Sequence, residues 1–350
     1  MKMAERGKIT SVRENGGTSE STASGNGVEA MVKARAVLSP MAGVTDIPFR
    51  MICRKFSCRF AFTEMVDVSG ITYRNLKTMK YLDMVPGDFP LGAQIVGEDE
   101  KKLLEAARVC EDKGFGVIDI NAGCPAKKVV KGGKGSALLR DPRSLGRIIG
   151  LLTSHVKARI TVKIRSGWDD ESVNYLEVAR IAESEGASAI CVHPRTRTQM
   201  YRGNSISHTP TLEVKQAVSI PVFASGNIFS VSDAMDVMNT TGCDGVFVAR
   251  GALSRPWIFD DISRALNGED PAEEPGLQRI KEVMAEHFLM AEERYGKVLA
   301  VKRMYKHVTW YLKKYKNLNS VMEAYRAVKD SVSFNGFLLK IGLDGRRLTI

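Results

Sequence analysis

Val117-Ile118-Asp119-Ile120-Asn121-Ala122-Gly123-Cys124-Pro125 reads as a buried strand that stops abruptly on a thiol. The apolar run Val117 to Ile120 is followed by a turn that cannot simply continue as sheet or helix. Pro125 lacks a backbone donor and fixes φ, while Gly123 permits an unusual backbone angle. A cysteine held rigidly at the carboxyl end of a strand is well placed to act on a ligand. Its flanks are turn residues, whereas Cys110 and Cys191 fall inside apolar patterns and read as small core residues.

Outward from this stretch the same alternation recurs. Strands are expected over Ala36–Ser39, Phe60–Glu64, Leu91–Val96, Val117–Asn121, Ile160–Arg165, Ala189–His193, Pro221–Ala224 and Gly245–Ala249. Amphipathic stretches separate most of them, such as Asp99 to Lys113 closed by Gly114, and Val173 to Glu185 closed by Gly186. The pattern predicts an α/β fold, a (β/α)8 TIM barrel over residues 34–266. A doubly wound open sheet is the alternative, weakened because no GxGxxG follows the first strand. Beyond the acidic, proline-bearing link that ends at Pro275, the strand pattern stops. Val283, His287, Phe288, Met290 and Ala291 recur at helical spacing, as do Met304, Val308, Tyr311 and Leu312. A small all-α helical-bundle domain is therefore expected over 275–345. At the other end, Thr10 to Ala30 is rich in Ser, Gly, Thr and Glu, and residues 1–33 are expected to be a flexible tail.

The 350 residues carry a formal charge of +11, which favours an anionic partner, nucleic acid before membrane surface. No apolar run approaches the roughly 20 residues that span a bilayer, so a membrane protein is not expected. The first residues also lack the apolar stretch of a signal peptide. Six scattered cysteines without CxxC pairs or paired histidines argue against a metal site and against a disulfide framework. They suit a reducing, cytoplasmic setting.

In such a barrel the functional groups sit on loops leaving the carboxyl ends of the strands. In order, these exits carry Pro40-Met41-Ala42-Gly43, Glu64-Met65, Gln94, Asn121 to Pro125, and Lys163 with Arg165. His193-Pro194-Arg195-Thr196, Ser225-Gly226-Asn227 and Ala249-Arg250-Gly251 complete the set. In Thr161-Val162-Lys163-Ile164-Arg165 the side chains alternate. Val162 and Ile164 are expected to face the helices, which turns Lys163 into the barrel mouth. An ammonium there needs a negative partner: a bound ligand, or a barrel carboxylate such as Glu64 or Asp119. The last two exits, with Gly226 and Arg250-Gly251, suit a phosphate. Together with Lys163 they suggest a phosphorylated cofactor reaching over the barrel centre.

The strings PMAGVTDIPFR (Pro40 to Arg50), NAGCPAKKV (Asn121 to Val129), GSALLRDP (Gly135 to Pro142) and VKIRSGWDD (Val162 to Asp170) closely resemble tRNA-dihydrouridine synthases. So do HPRTRTQMYRG (His193 to Gly203), SGNI (Ser225 to Ile228) and ARGALSRPWIF (Ala249 to Phe259). The bacterial branch is the most similar. The resemblance implies an FMN-dependent oxidoreductase that saturates the C5–C6 bond of particular uridines in tRNA, with NADPH reducing the flavin. It implies that Pro40, Met41, Ala42 and Gln94 contact the isoalloxazine and ribityl, with Lys163 at the flavin pyrimidine edge. His193, Ser225, Gly226, Asn227, Ala249 and Arg250 would line the phosphate side. Cys124 would be the acid, and Asn121, Arg165, Arg195 and Tyr201 would bind substrate. Two departures stand out: Ala249 and Pro194 replace glycines found in many members.

A thiol has an unperturbed pKa of about 8.5, so Cys124 would hold its proton at neutral pH unless Lys127 and Lys128 depress it. Candidate tRNA-backbone contacts are Lys127, Lys128, Lys131 and Lys134, then Arg195, Arg197 and Arg202. In the tail they are Lys302, Arg303, Lys306, Lys313, Lys314 and Lys316, interleaved with Tyr305, Trp310, Tyr311 and Tyr315. Gly132-Gly133-Lys134-Gly135 lacks full P-loop spacing and reads as a mobile loop over the bound base. A flavin barrel acting on a free pyrimidine, and an RNA-binding protein without chemistry, are the rival functions. The basic helical appendix speaks against the first, and the Cys124 and Lys163 constellation against the second. No protein partner is inferred.

Overall fold

The computed structural model describes residues 27–203 and 205–350. Eight parallel strands form its centre: β1 (Ala36–Leu38), β2 (Phe60–Phe62), β3 (Leu91–Val96), β4 (Val117–Ala122), β5 (Arg159–Arg165), β6 (Ala189–His193), β7 (Val222–Ser225) and β8 (Gly245–Val248). The sheet closes because β1 pairs with both β2 and β8, while β2 pairs with β3 through Ala61↔Leu91 and Phe62↔Gly92. An open doubly wound sheet would have left two free edges. A two-residue strand, Val66–Asp67, prolongs the second exit and pairs with Ile95 and Val96.

The alternation expected for β5 is present. Val162 and Ile164 join Ile118, Ile120, Ile190 and Val192 in the core between sheet and helices. The opposite faces fill the barrel with an aromatic floor in which Phe62 and Phe223 each lie 5.5 Å from Phe247. Gly92 makes room for it, since a Cβ there would fall 2.4 Å from the Phe62 ring. Register then sets Asn121 beside Lys163, and Arg165 beside His193, one layer above.

Two features depart from expectation. The helix Val28–Ala34 occupies the end of the segment expected to be a tail, and it places Val28 and Met31 against this floor. Burying two such side chains is worth about 1.5–3 kcal/mol each, which the polar composition of the stretch before it concealed. The rest of the expected tail, residues 1–26, lies outside the described residues. At the other end, the helices Leu277–Tyr295, Lys297–Tyr311, Leu318–Ala324 and Ser331–Lys340 form a second core, with Phe288 stacked on Phe334 at 4.3 Å. A hairpin of Gly342–Asp344 and Arg347–Thr349 follows where only helix was expected. It forms because Leu348 has a buried place in that core.

The second core meets the barrel at the helix Ile47–Lys55. Phe49 lies 5.2 Å from His307 and 5.8 Å from His287. Among the described residues no helix is long and apolar enough to cross a membrane, and no His, Cys, Asp and Glu cluster could hold a metal ion.

Candidate active site

A cavity of about 490 Å³ opens at the carboxyl ends of the strands. Pro40, Met41, Ala42, Gln94, Asn121, Cys124, Lys163, Arg165, His193, Tyr201, Ser225, Gly226, Asn227, Ala249 and Arg250 all line it. Of the candidate catalytic, cofactor-binding and substrate-binding residues, Arg195 alone is absent from its wall. Arg195 is 3% exposed. Its Nε donates to Arg202 O (3.0 Å) and its Nη2 to Gly203 O (3.0 Å), so it ties down the loop after β6. Through Nη1 it also reaches Asn227 Oδ1 at 3.3 Å. Ser39, Phe229 and Phe247 line the cavity without having been singled out. The inward period of β8 marks Phe247; Phe229, directly after the SGNI string, carries no such signal.

The thiol-bearing turn is held by a chain of hydrogen bonds that begins on the barrel axis. Asp119 accepts from Thr161 Oγ1 (2.7 Å) and Gln94 Nε2 (2.8 Å). Gln94 Oε1 accepts from Asn121 Nδ2 (2.8 Å), and Asn121 Oδ1 accepts from the N–H of Gly123 (3.2 Å) and Cys124 (2.8 Å). From outside, Ser136 donates to Cys124 O through N (3.1 Å) and Oγ (2.9 Å). Arg165 Nε donates to Gly123 O at 2.8 Å. Gly123 does not use a positive φ, the unusual angle that glycine permits. It is glycine because a Cβ would stand 3.3 Å from the backbone oxygen of Lys163. Gly135 does have positive φ (61°), and a Cβ there would lie 2.8 Å from Cys124 O.

Burial pushes the Cys124 thiol above its ordinary pKa, opposed by the Ala126 N–H and by Arg165. Lys127 and Lys128 are exposed and do not contribute, so the depression that they offered in the sequence is absent. Burial also lifts Asp119 to about 6, with Gln94, Thr161 and Lys163 pulling the other way. The His193 imidazole is driven well below its usual range by burial, then by Lys163, Arg165 and Arg195. It is therefore neutral, and because Nδ1 accepts from Arg195 N (3.3 Å), the proton is assigned to Nε2. Lys163 makes no ion pair within 4.0 Å among the described residues; Asp119 feels its charge without contacting it, and Glu64 is not its partner. Glu64 instead accepts from Gly43 N and braces the first exit. Ala249 sits at φ −111°, outside the left-handed region that favours glycine.

A family model described as dihydrouridine synthase (Dus) matches residues 37–341. The chain belongs to this family. It is 41% identical over 277 residues to tRNA-dihydrouridine synthase B of Pseudomonas putida, covering 79% of this chain and 82% of that one. Against the protein of the same name from Vibrio vulnificus it is 35% identical, covering 85% and 92%. Among solved structures, a morphinone reductase variant in complex with tetrahydroNAD superposes with a TM-score of 0.50 at 10% identity, over 69% of this chain and 88% of that one. That likeness shows the barrel fold alone.

In this dihydrouridine synthase the basic residues beside the thiol-bearing turn, after β6 and in the helical region divide into two groups. Lys127, Lys128, Lys131, Arg202, Lys302, Lys313 and Lys316 are exposed and have no ion pair among the described residues. Others are occupied. Lys134 binds Asp67 (2.9 Å) and Glu98 (3.6 Å), anchoring the segment expected to be mobile. Lys314 pairs with Glu274 (2.9 Å), Arg303 with Asp46 (2.8 Å), and Lys306 donates to Gly43 O. Of the interleaved aromatics, Tyr311 is buried against His287, whereas Tyr305 is exposed.

Proposed function

We propose that this chain reduces the C5–C6 bond of uridines in tRNA, using FMN that NADPH returns to its reduced state. The observation that carries the proposal is a thiol whose pKa burial raises, Cys124, and a lysine with no ion pair within 4.0 Å among the described residues, Lys163, on the wall of one cavity. The residues fit a phosphorylated flavin. Lys163, Arg165 and Arg250 make the cavity electropositive without a paired acid among the described residues. Gly226, at φ +113°, leaves bare backbone where a Cβ would crowd Ile206 (3.1 Å) and His193 Nε2 (3.3 Å).

Pro40, Met41, Ala42 and Gln94 would border the ring, and Lys163 would stabilise negative charge at its pyrimidine edge without reorganisation. His193, Ser225, Gly226, Asn227, Ala249 and Arg250 would hold the phosphate side. FMN bound in this cavity would supply the hydride for uracil C6. Cys124 Sγ–H would give its proton to C5, and Arg165 would then shelter the thiolate. Asn121 and Arg165, which hold the turn backbone, would present the thiol to an extruded base, and Tyr201, 5.1 Å from the Arg165 guanidinium, would offer a face for that base. The exposed lysines beside the thiol-bearing turn and in the helical region would neutralise tRNA phosphates and offset the cost of extrusion.

Two measurements test the proposal. Purified protein is expected to be yellow and to release FMN on denaturation. Mass spectrometry of tRNA from a strain lacking the protein should show missing dihydrouridine, restored on complementation. Colourless protein that takes up no FMN, or unchanged tRNA, would overturn it.

A further inference from the structure

Three loops at the barrel mouth converge on one indole. Arg140 ends the short 3-10 helix Gly135–Arg140 after β4, Trp168 follows β5, and Arg197 follows β6. The guanidinium carbon of Arg140 lies 3.5 Å from the centroid of the Trp168 ring, and that of Arg197 lies 4.6 Å from it. Neither arginine has an ion pair among the described residues, and Arg197 Nε is buried without a hydrogen-bond partner. The acid beside them, Asp169, is turned to Ser172, accepting from its N (2.9 Å) and Oγ (2.6 Å).

Two like charges gathered on one ring repel each other. Cation–π attraction, about 0.5–1 kcal/mol at exposed sites, positions them without neutralising them. A planar guanidinium presents paired donors that match phosphate oxygens, and stacking on an aromatic face presets its orientation. Ser172, helped by the Arg140 charge, holds the Asp169 carboxyl below the ordinary range, but no acid pairs with either guanidinium within 4.0 Å among the described residues.

The stack is also tied to the catalytic turn. Ser136, in the same 3-10 helix as Arg140, donates to Cys124 O. Arg165, three residues before Trp168, donates to Gly123 O (2.8 Å) and to Thr196 O (2.9 Å), next to Arg197. Arg197 N donates to Gly167 O (3.0 Å) and Thr198 N to Trp168 O (3.2 Å), locking the two loops together. A group gripped by the arginines is thereby held in register with the thiol.

We infer that Arg140, Trp168 and Arg197 form a binding site for a phosphodiester of the tRNA backbone beside the extruded uridine. The inference rests on the tRNA reading above and adds to it a defined anchor. It predicts that the site contributes to affinity alike for all tRNA sequences, because phosphate contacts carry no base information.

The test is tRNA affinity as a function of salt for the wild type, R140Q, R197Q, the double Gln variant and the double variant R140K/R197K. Each Gln substitution should weaken binding and flatten log K against log salt, and the pair should lower the slope by about one, because a single phosphodiester carries a single charge. Lysine at both positions should restore the slope while losing the stack. NADPH oxidation without tRNA should remain unchanged in every variant, which also reports that they fold. Should the Gln pair prove unstable, the single variants and the Lys pair decide the matter. A folded Gln variant with wild-type slope and affinity, or a folded Lys pair as deficient as the Gln pair, would overturn the site and leave the stack a brace. A wild type that neither binds nor modifies tRNA would instead bring down the functional reading.

Discussion

A thiol that is to donate a proton at neutral pH has to keep that proton until the substrate arrives. Cys124 does so because it is largely withdrawn from water, and burial penalises the thiolate. Arg165 and the Ala126 N–H act in the opposite sense, favouring the anion once the proton has left. Product formation should therefore be level through the neutral range and fall only on the alkaline side, as the thiol ionises before it can donate. Cys124→Ala should lower dihydrouridine yield by about 10²–10⁴-fold, the usual scale of a positioned acid. It should leave NADPH oxidation without tRNA intact. Single-turnover assays on tRNA would check both, and an unchanged yield would remove the acid role.

The helix Ile47–Lys55 shows how an element is pinned by one buried acid, Asp88, which pairs with Arg50 and, at 3.9 Å, with Arg54. Arg50 and Asp88 are 2% and 0% exposed. Their side chains meet through Arg50 Nη2 (2.5 Å) and Nε (2.9 Å) on Asp88 Oδ2. Arg50 Nη1 donates to Thr45 O at 2.7 Å, so the same guanidinium secures the loop leaving β1. Removing one partner leaves the other charged in the interior, at about 3–5 kcal/mol. Asp88→Ala should lose that much in urea unfolding, with Met41 and Ala42 displaced as the loop relaxes. A loss below about 1 kcal/mol would mean that water or another acid takes over.

At the scale of the molecule, the helical second core reaches into the first strand exit. Asp46 accepts from Arg303 Nη1 (2.8 Å) and Tyr295 OH (3.1 Å), and Lys306 donates to Gly43 O. Arg303 also lies 4.2 Å from the Tyr295 ring. These contacts make the helices a brace for the Pro40–Thr45 loop as well as a basic surface. Arg303→Met should cost about 2 kcal/mol, the scale of a hydrogen bond to a charged group. It should also let the helices unfold ahead of the barrel, giving two transitions by calorimetry. A single, unshifted transition would count against the brace.

What is local in this chain was legible in its sequence. Alternation in Thr161–Arg165 set which face of β5 meets the helices, and the Asn121–Pro125 turn marked the strand end that carries the thiol. Those are properties of backbone period and turn chemistry, which depend on neighbours a few residues away. Tertiary structure decided what each charge does. Arg303 meets Asp46 across 257 positions of sequence, so a cation that looked free for RNA is bound to the barrel. Arg195 is likewise turned inward, and Gly123 is small for a strand that composition cannot place beside it. Pairing of charges and close approach of backbones are set by distances in space, and these exist only once the barrel has closed.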